Sequence, residues 1–79
     1  MFSPREEKIL KIIGRKKLTL KQIVEELFKS NRIDRPMEPS ILVANCVARI
    51  NKKCLYYKLD WKLRKEVKDR KLYISKRRK

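Results

Sequence analysis

An α+β domain, three helices followed by a C-terminal β-hairpin, is predicted for this chain by three observations. Two segments open with capping-box pairs, Ser3 with Glu6 and Thr19 with Gln22, ahead of apolar residues at helical spacing. A third apolar stripe, Val43, Val47, Ile50 and Cys54, follows a proline-containing break. At Leu55 the period changes: positions 55, 57, 59, 61 and 63 are apolar while 58, 60 and 62 are charged. With 79 residues there is room for one such domain, assigned to residues 1–75, with residues 76–79 as a basic tail.

The first helix starts with Ser3 as N-cap and Pro4 at its first position, carries Ile9, Ile12 and Ile13 on its apolar side with Leu10 at the edge, and stops at Gly14. Arg15, Lys16 and Lys17 form a basic connector, and Leu18 is a brief strand residue. Thr19 caps the second helix, whose face is Leu20, Ile23, Val24, Leu27 and Phe28 and whose end falls near Lys29. From Ser30 to Pro39 periodicity fails among Asn31, Asp34, Pro36 and Pro39, a loop pinned by Ile33 and Met37. Pro39 or Ser40 opens the third helix, which runs to about Lys53. On a wheel of ~100° per residue its apolar side is Val43, Val47, Ile50 and Cys54, and its polar side is Asn45, Arg49 and Lys52. Ile41 and Leu42 fall beside the polar side. Leu55–Leu63 reads as a half-buried strand that Val67 prolongs, 68–71 as a charged turn, and Leu72–Ile74 as a second short strand. The expected core contains Ile13, Ile23, Leu27, Val47, Ile50, Leu59 and Trp61, with Tyr57 on the same register, while Tyr56 faces outward.

Charge narrows the function. The chain holds 24 Lys and Arg against 9 Asp and Glu, a net +15. Residues 1–38 carry ten basic and six acidic side chains, and residues 39–79 carry fourteen and three, so the excess sits on the third helix and the hairpin. A polyanion is the expected partner, nucleic acid ahead of an acidic protein or an anionic membrane surface. There is no histidine, which removes the commonest general base and metal ligand. Two cysteines alone do not make a structural zinc site, and eight residues apart on one helix (~12 Å) they are too distant for a disulfide. Cys46 and Cys54 read as small buried hydrophobes of a reducing compartment. No enzyme activity, metal or cofactor is expected. The N-terminus lacks the n- and h-regions of a signal peptide and no apolar run is long enough to span a membrane, so an intracellular protein of cytoplasm, nucleoid or nucleus is expected.

The order of elements, with the run Leu18-Thr19-Leu20-Lys21-Gln22-Ile23-Val24-Glu25-Glu26-Leu27 as second helix and Glu38-Pro39-Ser40-Ile41 leading to Val47-Ala48-Arg49-Ile50 as third, resembles a winged helix-turn-helix domain from Ser3 to about Ser75. It is similar to members with a long loop between helices 2 and 3, such as linker-histone globular domains and the HARE-type domain shared with the delta subunit of bacterial RNA polymerase. Winged helices often carry glycine after helix 3 and in the wing; here Cys54 and the turn at 68–71 stand there instead.

The resemblance implies a DNA-binding protein, a small transcription regulator or architectural factor, with helix 3 in the major groove and the hairpin as a wing on the backbone. Asn45 and Arg49 have the paired groups that read adenine and guanine, whereas Lys52 and Lys53 suit phosphate. Tyr56 suits stacking or a phosphate hydrogen bond. Lys58, Lys62, Arg64 and Lys65 are expected on the outward side of the first wing strand, Lys68, Arg70 and Lys71 at its tip, and Lys76, Arg77, Arg78 and Lys79 in the tail. Double-stranded DNA is the favoured partner. RNA binding of the ribosomal-protein kind and docking on acidic transcription machinery are the alternatives.

Overall fold

The computed structural model describes residues 1–29 and 37–78, and within them both capping boxes form. The expected loop residue Ile33 lies outside the described residues; Met37, expected to pin that loop, is fully exposed. Helix α1 spans Pro4–Ile13, strand β1 Lys17–Thr19, α2 Leu20–Leu27, α3 Pro39–Tyr56, β2 Trp61–Lys68 and β3 Lys71–Arg78. The described residues form a small α+β domain of three helices and a three-stranded antiparallel sheet, ordered β1-β3-β2.

At α1, the Glu6 N–H donates to Ser3 Oγ (3.2 Å) while the Ser3 N–H donates to Glu6 Oε1 (2.9 Å). Thr19 and Gln22 make the same exchange at α2, at 3.1 and 2.9 Å. Gly14 ends α1 at φ +52 and ψ −121, a region reserved for glycine, and its N–H donates to the Leu10 carbonyl.

Helix α3 runs three residues past the expected end at Lys53, through Tyr56. Its exit explains why. Lys58 adopts φ +54, the Leu59 N–H donates to the Cys54 carbonyl (2.9 Å) and the Lys58 N–H to the Leu55 carbonyl (3.2 Å), which is a Schellman motif built on lysine instead of glycine. The alternation at Leu55, Tyr57 and Leu59 is therefore the last helical turn and its cap, not a strand. Tyr57, expected inside, is 45% exposed and packs edge-on against Tyr56.

Strand β3 is longer than the Leu72–Ile74 segment expected, and the basic tail is not a tail: Lys76, Arg77 and Arg78 pair with Leu63, Lys62 and Trp61. Lys76 Nζ lies 4.4 Å from the centre of the Trp61 ring, so its stem and charge have a partner within the sheet. Asp69 and Arg70 alone connect β2 to β3, with φ of +52 and +65, the two positive values a type I′ turn demands.

The core gathers Ile13, Ile23, Leu27, Val47 and Ile50 as expected, with Ile9, Val24, Phe28, Val43, Cys46, Cys54, Leu63 and Ile74. Leu59 and Trp61 pack at its margin, half-buried. Burial pushes the Cys46 thiol up, so it stays protonated at neutral pH. Among the described residues no helix is long and apolar enough to cross a membrane.

Candidate nucleic-acid interface

One side of α3 is locked inward by Val43, Cys46, Val47, Ile50 and Cys54. The other side is open along its length, through Ile41, Asn45, Ala48, Arg49, Lys52, Leu55 and Tyr56. Asn45, Arg49 and Lys52 therefore stand together on one exposed stripe. Tyr56 shares it from the last turn of the helix, 78% exposed, although the sequence suggested a strand position.

Lys53 does not join them. Its Nζ donates to both carboxylate oxygens of Glu6, 3.3 Å to Oε2 and closer to Oε1, and stands 5.8 Å from the Phe2 ring centre. Glu6 is buried at 2% exposure. Burial alone would raise its carboxyl, but the Lys53 bond and charge and the Ser3 contacts hold it below the ordinary range. The charge of Lys53 is thus answered inside the fold, where the sequence suggested a phosphate contact.

Asn51 fixes α3 against the sheet. Its Nδ2 donates to the Leu63 carbonyl (2.9 Å) and its Oδ1 accepts the Leu63 N–H (2.8 Å). A two-residue turn closes on a hydrogen-bonded pair and the two kinds of pair then alternate, which leaves the backbone groups of Leu63 pointing away from β3. Asn51 satisfies both. The sequence reading missed this residue, although a polar side chain beside Val47, Ile50 and Cys54 at helical spacing is the signal of an inward hydrogen bond. Through this clamp α3 and β2 share a groove lined by Asn51, Leu55, Lys62, Leu63, Arg64 and Lys65. A second groove joins the hairpin tip to the starts of α2 and α3, lined by Lys17, Thr19, Lys21, Ser40, Arg70, Lys71 and Tyr73 among others.

The remaining expected residues divide by register. Lys62, Arg64 and Lys68 lie on one face of β2 with Lys71 and Arg77 opposite them on β3. Lys65 alternates to the helix-facing side but stays exposed at the sheet margin, and Lys76 and Arg78 share that side with Trp61. Arg78 is 3.8 Å from Asp60, both well exposed. Arg70 occupies the turn, and Lys58 caps α3 instead of lining a strand. Lys79 lies outside the described residues. No protein family, curated protein or solved structure matches this chain.

Proposed function

We propose that this domain is a winged helix-turn-helix that binds duplex DNA as a small regulator or architectural factor, with α3 in the major groove and the β2–β3 hairpin as a wing on the backbone. The observation that carries the reading is the exposed α3 stripe, where Asn45, Arg49 and Lys52 project from a helix whose other side is fully engaged. Asparagine and arginine can each form a bidentate pair, with adenine and guanine respectively, and lysine serves phosphate. Cations flank the stripe: Lys62, Arg64 and Lys65 border its C-terminal half, and Arg70 and Lys71 share a groove with Ser40 near its start.

Binding to a duplex selected from a random pool, compared with a random duplex, tests this. With about 5–7 cations engaged, affinity is expected to fall about 10²–10⁴-fold between about 50 and 200 mM salt. Arg49→Ala is expected to lose about 1–3 kcal/mol on the selected duplex and much less on the random one, while Arg70→Ala loses similar amounts on both. Equal losses for Arg49→Ala on the two duplexes would remove base reading by α3, and a flat salt response would remove the phosphate mechanism.

A second reading has its own observation. Ile41, Leu55 and Tyr56 are 54%, 73% and 78% exposed on the same stripe, which favours docking of α3 on a protein surface, and Lys62, Arg64 and Lys65 beside Leu55 favour an acidic one. A complex that survives nuclease treatment would select it, and preference for structured RNA at equal salt would select an RNA target.

A further inference from the structure

Strand β2 has one neighbour in the sheet, β3, so its other margin is an edge. The alternation that turns the Leu63 backbone groups away from β3 turns those of Lys65 and Val67 the same way. Asn51 answers the pair on Leu63. Among the described residues no hydrogen bond reaches the outward N–H and C=O groups of Lys65 and Val67, and both residues are exposed. Two donors and two acceptors thus stand in a row along ~6.8 Å of strand. Beside Lys65 lies a groove of about 550 Å³ between α3 and β2, with Leu55 as its apolar wall. Val67, 74% exposed, stands farther along the same side of the strand as Lys65. Lys62, Arg64 and Lys68 project from the outer face, where Lys17 already engages Glu66 at 2.6 Å.

We propose that this margin of β2 binds an extended acidic segment of another protein, which joins the sheet as a fourth strand. The bonding groups decide the class of partner. Phosphate oxygens accept and do not donate, so a phosphodiester would leave the Lys65 and Val67 carbonyls unanswered. A peptide strand supplies N–H and C=O in alternation and answers all four groups. Charge decides its composition. A second copy of this chain would bring the same cations to the edge, whereas carboxylates on an incoming strand fall opposite Arg64 and Lys68. Side chains on the other side of that strand fall beside Val67 and Leu55, which suits β-branched apolar residues. The expected ligand therefore alternates acidic and apolar residues. This goes beyond the α3 reading and its docking alternative, because the bonds come from the main chain of β2 and Asn45, Arg49 and Lys52 take no part.

The probe is an end-blocked peptide of four Glu-Val repeats, added at ~150 mM salt, where exposed charges are screened. Amide hydrogen exchange of Lys65 and Val67 is expected to slow, while that of Arg64 and Glu66, already bonded to β3, stays as it was. Val67→Pro removes one outward donor at a position where an edge strand tolerates proline, and is expected to weaken peptide binding about 10-fold. Val67→Ala keeps that donor and is expected to lose much less. Two further peptides carry N-methyl groups on either the valine or the glutamate nitrogens, with charge unchanged. Weaker binding by either supports strand addition, the valine set alone marking an antiparallel strand and the glutamate set alone a parallel one. Equal binding of all three peptides, or unchanged exchange at Lys65 and Val67, overturns the proposal, since charge alone then holds the peptide. Equal protection of these two amides by a short oligothymidylate assigns the margin to nucleic acid and also overturns it. Should Val67→Pro not fold, the methylated peptides on the parent decide. Duplex binding is measured on the same samples, and Val67→Pro, which removes no charge, is expected to retain it. If Arg49→Ala shows that α3 is no base reader, the peptide results still stand, and if the peptide fails while Arg49→Ala discriminates, only this proposal falls.

Discussion

Glu6 performs three tasks with one carboxylate: it closes the α1 capping box, accepts from Lys53 and fills a buried position between two helices. Because its folded carboxyl lies below the ordinary range, the unfolded chain takes up the proton first on acidification. The stability it contributes is present above the ordinary carboxylate range and is lost as the pH falls through the lower folded value. Melting curves in an acid series should therefore show a shallower decline for Glu6→Gln than for the parent, and Lys53→Met should cost about 1–3 kcal/mol at neutral pH by leaving a buried carboxylate short of a partner. The sequence held the clue in the spacing of Glu6, Ile9 and Ile13, which puts the glutamate on the core side of α1. The capping signal was legible; the partner was not, since Lys53 lies 47 residues on and only the packing of α1 on α3 joins them. Asn45 and Arg49, whose place follows from helical period alone, were legible as exposed residues of the candidate site.

The end of α3 and the hairpin turn put ordinary side chains where glycine is usual. Lys58, Asp69 and Arg70 all have positive φ, each at some cost in backbone energy. Lys58→Gly is expected to raise stability by about 1 kcal/mol, about 4–8 °C in melting temperature for a domain of this size. A melting temperature that stays put or falls would show that the lysine side chain compensates for its backbone. The missing glycines explain what the sequence could not reveal. Helix starts were legible because Ser3 and Thr19 announce them with their own side chains, whereas α3 stops at a residue with no stop signal. Two apolar residues then happened to continue the alternation of the true strand that begins at Trp61. In the same way Lys76, Arg77 and Arg78 look like a solvated run until Trp61, Lys62 and Leu63 are placed opposite them.

At the scale of the whole molecule β3 is the central strand, bonded to β1 on one side and to β2 on the other. Removing residues 76–79 deletes three of the eight β2–β3 pairings and the Lys76 contact over Trp61. The truncated chain is expected to lose its cooperative thermal transition or melt well below the parent, whereas a dispensable tail would leave melting unchanged and weaken only binding. The uneven charge along the chain indicated which half would be cationic, but only the pairing register divides those charges between α3, the turn and the outer sheet face. Strand β2 forms one margin of that sheet, and the Asn51 clamp covers it beside Leu63, where the strand is buried and apolar. A bare margin of this kind is a template on which a second chain can add its own strand, the first step of aggregation. The carboxamide imitates the strand that would dock there, and Lys62, Lys65 and Lys68 repel a like-charged copy along the rest. One side chain from a neighbouring helix thus gives a strongly basic chain a margin that resists growth into fibres.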